Sequence, residues 1–256
     1  MKTLNRIHFL FLIVLTPVLI VAWGEVDNDK VENRISTEQA MQHKSSKGWE
    51  QLFANDNYKV VIDSDTLSKE DIFHINDGEI KAMYSYEGSA VSPIAMIISK
   101  KKYSFYDLKL EYKWGNRKFK PRLDQKRDAG VLLHATSLQE VWPPSLEYQI
   151  QEGDVGDFWA LLGAHANILK NDSLIKTERK DYSRMRKFTD AEQPGWNEIL
   201  VKVRGTVLKF YLNGTLVNQL TGANFKGSPL NKGHIALQAE HSEITYKNVF
   251  VKEVKE

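Results

Sequence analysis

Residues 106–114 read YDLKLEYKW, and along them apolar and charged side chains alternate. On an extended chain Leu108, Leu110 and Tyr112 share one face, and Lys109, Glu111 and Lys113 share the other. A period of two marks a β-strand with one face in a core and one in water. Similar short runs recur outward from this one. Residues 73–82 (FHINDGEIKA) turn about Asp77-Gly78, and residues 207–220 (VLKFYLNGTLVNQL) turn about Asn213-Gly214. Asp-Gly and Asn-Gly supply the positive φ angles that two-residue hairpins demand. Further strand-like runs fall at 94–99, 130–134, 145–151, 196–204, 234–240 and 245–251. Past the N-terminal region nothing carries a 3.6-residue period, and no repeat of solenoid or propeller length occurs. Many short strands with turn chemistry and no alternating helices predict an all-β sandwich or barrel.

The N-terminus has a different character. Lys2 and Arg6 precede an apolar run that ends at Ala22 and is interrupted by Pro17. Small residues, Ala22 and Gly24, then flank Trp23. This order predicts a secretory signal peptide over 1–24. The alternative is an uncleaved anchor, but the run is short for a span of about 20 residues. Residues 25–46 are polar and unpatterned, as in a linker, and the folded domain is expected over 47–256. The expected destination is periplasmic or extracellular, with no stable membrane insertion after cleavage.

There are no cysteines, so neither a disulfide framework nor a lipid-bearing cysteine is available. Stability must come from the core, for which 42% hydrophobic residues suffice. Removing Lys2 and Arg6 from the 35 basic residues leaves a balance with the 33 acids. A neutral chain lacks the basic footprint of a nucleic-acid binder. No nucleophile elbow, P-loop or dinucleotide fingerprint is present.

Chemistry concentrates in residues 141–159 (VWPPSLEYQIQEGDVGDFW). Alternation puts Glu147, Gln149 and Gln151 on one face, and Leu146, Tyr148 and Ile150 on the core face. Such a polar stripe is ordinarily just solvated. Here Trp142, Trp159 and Asp157 lie close by in sequence, and flat aromatic rings with convergent polar groups suit sugars. Glu152 falls on the opposite face unless a bulge intervenes. In the preceding run, 127–134 (RDAGVLLH), strict alternation gives Gly130, Leu132 and His134 one face, with Asp128 at its entrance. Gln238, Glu240 and His241 come from a later run. His134, Glu147, Glu240 and His241 are candidate metal ligands, although their spacing matches no known motif. Residues 117–127 (RKFKPRLDQKR) read either as a solvated connector or as a lid over a site for an anionic or polyhydroxy ligand. Residues 153–188 read as a long mixed loop.

Taken in order, these segments resemble the 3-keto-disaccharide hydrolase family. The matching pieces are GWEQLF at 48–53, DGEI at 77–80, YDLKLEYKW, RDAGVLLH, SLEYQI at 145–150, GWN at 195–197, LNG at 212–214, IALQ at 235–238 and TYKNV at 245–249. The resemblance implies a concanavalin-like jelly-roll sandwich of two antiparallel sheets. It also implies action on an oxidised carbohydrate, a glycoside with a ketone at C3. Such a ketone acidifies the C2 hydrogen, so that elimination and then hydration amount to hydrolysis.

In that chemistry Glu147 is the expected base or metal ligand, His134 the expected acid/base or ligand, and Arg127 the expected stabiliser of negative charge. Gln149, Trp142, Glu152, Asp157, Trp159, Gln238 and His241 are expected to bind substrate. A divalent metal ion chelated by O2 and O3 is a hypothesised electrophile. Two alternatives stay open. One is a non-catalytic glycan-binding protein of lectin-like fold. The other is a conventional laminarinase-type glycoside hydrolase, whose E-x-D-x-x-E spacing is echoed by Glu147-x-Gln149-x-x-Glu152.

Overall fold

The computed structural model describes residues 48–88, 90–170, 173–175, 182–183 and 191–256. The expected signal peptide over 1–24 and linker over 25–46 lie outside the described residues. Among the described residues no helix is long and apolar enough to cross a membrane.

The described chain is built of strands, with one short helix, α1 (Lys69–Ile72). The first nine strands are β1 (Glu50–Gln51), β2 (Tyr58–Ile62), β3 (Phe73–Asn76), β4 (Glu79–Ala82), β5 (Ile94–Ser99), β6 (Phe105–Lys118), β7 (Asp128–Ala135), β8 (Ser145–Gln151) and β9 (Phe158–Leu161). The others are β10 (Ala164–Lys170), β11 (Ser173–Ile175), β12 (Tyr182–Ser183), β13 (Asn197–Arg204), β14 (Val207–Leu212), β15 (Thr215–Phe225), β16 (Ser228–Pro229), β17 (His234–Glu240) and β18 (Ser242–Glu253).

They form two antiparallel sheets, one of 11 strands and one of 7. The smaller runs β12-β9-β8-β7-β17-β5-β2. This is the jelly-roll sandwich the sequence predicts. Both expected hairpins form, with Asp77 and Asn213 at positive φ (46° and 47°) as two-residue turns require.

The core lies between the sheets. Leu108, Leu110 and Tyr112 of β6 face Leu146, Tyr148 and Ile150 of β8, along with Val131 and Leu133 of β7. Each such side chain contributes about 1.5–3 kcal/mol by leaving water. The outer face of the smaller sheet carries a second, small apolar cluster of Met96, Ile98, Leu132, Ala135 and Ala236. Polar residues continue that face beyond the cluster.

Two expectations fail for identifiable reasons. Residues 153–188 do not form one loop, because β9 and β10 occupy part of the stretch. In β9, Trp159 and Leu161 stand where an alternating strand would show polar residues, so the period of two is hidden. The second failure is His134. Ala236 pairs with Leu132 but His234 pairs with Ala135, which leaves an extra residue on β7. His134 sits in this bulge at φ 55°. Its side chain turns between the sheets, edge-on to the Tyr106 ring with centroids 6.3 Å apart.

Candidate active site

The outer face of the smaller sheet gathers polar side chains from three adjacent strands. Glu240 of β17 stands opposite Asp128 of β7, and Asp128 stands opposite Gln151 of β8. One row along, Gly130 faces Gln149; one row further, Leu132 faces Glu147, which faces Trp159 of β9. Period-two alternation brings all of them, with Gln238, to the same side. This placement reproduces the face expected for Glu147 and Gln149.

Gly130 opens the centre of this face. A Cβ there would lie 2.1 Å from Glu147 Oε1 and 2.8 Å from Gln238 Oε1. The carboxyl and the amide therefore lie over the glycine, in space that any other residue would fill.

Three carboxyls share this small region. Asp128, Glu147 and Glu240 are all buried. Burial raises each pKa above the ordinary carboxylate value, and mutual repulsion raises it further for Glu147 and Glu240. Arg122 compensates two of the three. Its Nη1 lies 2.5 Å from Asp128 Oδ2 and 3.3 Å from Glu240 Oε1. Gln151 Nε2 also donates to Asp128 Oδ2 at 3.0 Å. Glu147 receives no such cation; only a hydrogen bond from Gln238 opposes the rise.

Several polar atoms here remain unsatisfied. Asp128 Oδ1, Gln149 Oε1, Gln238 Oε1 and Arg122 Nε are buried without a hydrogen-bond partner among the described residues. Buried polar groups are nearly always paired, so such a cluster marks a place built to receive polar groups from outside. The three oxygens suit donors such as sugar hydroxyls, and Arg122 Nε–H suits an oxygen bearing negative charge. A carboxyl whose pKa is raised toward neutrality suits proton transfer.

The remaining expected residues divide into groups. Asp157 stands beside Gln149, its carbonyl accepting the Gln149 N–H at 3.0 Å. His241 closes the end of β17, with Nδ1 2.8 Å from Ser92 Oγ. Trp142 lies 37% exposed in the 136–144 connection.

His134, the expected acid/base, is instead fully buried on the core side, its Nε2 3.0 Å from the Gly205 carbonyl. Arg127, the expected stabiliser of charge, is one residue out of phase with Asp128 and points to the other face. It pairs with Glu152 through Nε and Nη2, at 3.1 and 2.7 Å, and its guanidinium lies 5.5 Å from the Trp114 ring centre. Glu152 is thereby held away from the outer face that carries Glu147. It lines a separate cleft with Trp114 and Glu192. The two-glutamate pair of a laminarinase-type site is not assembled, because Glu152 lies in the turn after β8 and is held there by Arg127.

Of the four candidate metal ligands, Glu147 and Glu240 share the outer face, and the two histidines do not join them. His134 faces the core, His241 is bound to Ser92, and Glu240 is paired with Arg122. No group of three or more His, Asp or Glu able to hold a metal ion occurs among the described residues.

Arg122 and Asp128 belong to the cluster yet were not among the expected functional residues. Asp128 shares the period-two phase of Gly130, and Arg122 lies in the basic stretch read as a possible lid. Their signals were therefore present, but not their partners.

The 3-keto-alpha-glucoside-1,2-lyase-like domain matches residues 39–252. No curated protein matches the sequence. Two crystal structures from Parabacteroides distasonis, each described as a "putative glycosyl hydrolase", share 18% identity and a TM-score of 0.51 with this chain. They cover 80% and 84% of it, and 99% and 97% of themselves. That likeness is one of fold. The match over residues 39–252 decides the family: the chain belongs to the 3-keto-alpha-glucoside-1,2-lyase-like domain family of carbohydrate-active enzymes.

Proposed function

We propose that this chain cleaves glycosides whose sugar carries a ketone at C3, with Glu147 as the base. The observation that carries this reading is the Glu147 carboxyl, buried over Gly130 beside two further carboxyls and lacking the cation they share.

Glu147 removes the C2 proton, and the electrons of the broken C–H bond pass onto the C3 oxygen as an enolate. Arg122 Nε–H offers that oxygen a charged hydrogen bond. The enolate collapses, C3=O re-forms, a C1=C2 double bond appears and the C1–O bond breaks. Glu240, kept protonated toward neutral pH by burial and by Asp128, gives its proton to the departing oxygen. Water then adds across C1=C2, with OH at C1 and H at C2. The net change is hydrolysis. Gln149 and Gln238 accept hydrogen bonds from sugar hydroxyls and hold the ring over Glu147. The candidate metal ligands do not assemble, so no step is assigned to an ion.

The test compares methyl glucoside with methyl 3-keto-glucoside in D2O. Only the keto form should be cleaved, with deuterium appearing at C2 of the released 3-keto sugar. Equal cleavage of both, or a product without deuterium at C2, would falsify the reading. The proposed site of action is outside the cytoplasm, reached through the 1–24 segment. N-terminal sequencing of the chain recovered from its host tests that point.

A further inference from the structure

A cavity of about 830 Å³ opens at the end of β5 and β17. Asp63, Leu67, Tyr86, Ser92, Ile94 and His241 are among its walls. Its place follows from register. Ile94 stands opposite Glu240, and His241 is the residue after Glu240. The strand order β9-β8-β7-β17-β5 thus sets Trp159 on one flank of Glu147 and this cavity on the other. Its volume lies in the range of small-molecule sites.

One wall is rigidly built. His241 adopts φ 51°, a left-handed conformation uncommon outside glycine, and its carbonyl accepts the Phe119 N–H at 2.8 Å. Its Nδ1 is held by Ser92 Oγ, and the Ser92 N–H is tied to the Lys120 carbonyl at 2.9 Å. Burial, and secondarily Arg122, hold the His241 pKa below its usual value, so the ring is neutral at pH 7.

The charge of the lining is one-sided. Among the described residues, Asp63, Asp71 and Glu87 line the cavity and no lysine or arginine does, although Arg122 acts on His241 from beside it. Glu87 is paired with Arg117 at 3.0 Å, but neither Asp63 nor Asp71 has a cationic partner among the described residues. Asp63 and Glu87 are exposed and Asp71 is bonded by Ser68, so this acidic lining repels an anion through water and only modestly.

We propose, resting on the cleavage reading above, that this cavity is the leaving-group subsite, and that it takes neutral or cationic pyranosyl residues in preference to anionic ones. Leu67, Tyr86 and Ile94 offer apolar surface to the ring's C–H face. The carboxylates, Ser92 and His241 offer partners to its hydroxyls.

The test reads binding, so it does not depend on cleavage. Glucose, glucosamine and glucuronate are titrated against the full chain while the His241 ring protons are followed by NMR, assigned with His241→Gln. Glucose and glucosamine should shift the His241 signals, and glucuronate should need at least about threefold higher concentration. Asp63→Lys should close most of that gap. Equal response to glucuronate, or no sugar shifting His241, overturns the proposal. Failure to cleave methyl 3-keto-glucoside, by contrast, removes the cleavage reading.

Discussion

Gly130 lies directly beneath Glu147: a side-chain carbon on the glycine would come within 2.1 Å of the Glu147 carboxyl oxygen. Gly130→Ala should therefore fold, since the colliding atoms are side-chain ends, but with Glu147 and Gln238 displaced. Misplacing a reacting group by about 1 Å costs roughly a hundredfold in rate. The expected result is a kcat on 3-keto-glucoside lowered by about that factor with an unchanged circular dichroism spectrum. Full activity would show that the carboxyl works from another position.

Glu147→Gln removes the base while conserving shape. Activity should fall by roughly 10²–10⁴-fold. Stability should move the other way. A carboxyl whose folded pKa is raised contributes most below its unfolded pKa and loses that contribution as pH rises through the folded value. At pH 8 the wild-type residue is therefore a cost that the amide avoids. A gain of about 1 kcal/mol appears as roughly 2–4 °C in Tm. Thermal melts at pH 5 and pH 8 check this, with the larger gain expected at pH 8.

Arg122→Met leaves Asp128 and Glu240 as unpaired buried carboxyls. Breaking such a network from one side costs about 3–5 kcal/mol. The variant should melt well below wild type and regain part of that loss at acidic pH, where both carboxyls are neutral. A melt identical to wild type would mean that the two ion pairs have no energetic role.

His134 is buried and its pKa is pushed down to about 4 by desolvation. Between that value and the usual 6.5 the unfolded chain binds a proton that the folded chain refuses. Its contribution is complete above pH 6.5 and is lost as pH falls toward 4, by about 3 kcal/mol in total. His134→Asn, which tolerates the left-handed backbone, should flatten this segment of the stability curve. Urea titrations of both proteins from pH 4 to 7 measure the difference.

Glu152→Gln should leave turnover within about twofold of wild type. Its carboxylate bonds Arg127 at the sandwich edge and is 42% exposed, so its loss costs under about 1 kcal/mol. A large loss of activity would bring Glu152 back to the chemistry.

Side-chain period and turn residues determined most of the fold. Alternation in 106–114 and the Asp77-Gly78 and Asn213-Gly214 turns are local properties, and local sterics decide them wherever the chain ends up. The shared outward phase of Glu147 and Gln149 was legible for the same reason. Strand β9 was not, because with Trp159 and Leu161 on its outer face both faces are apolar and the alternation vanishes.

Assembly of the site belonged to the tertiary structure. A bulge turned His134 into the core, and one step of phase sent Arg127 to Glu152 while Asp128 stayed on the outer face. Arg122 reached Asp128 and Glu240 across separations of 6 and 118 residues. Such pairings depend on register and on the exit angle of a connection. Local sequence does not encode either one, since each is settled by which burial of charge and apolar surface costs the whole sandwich least.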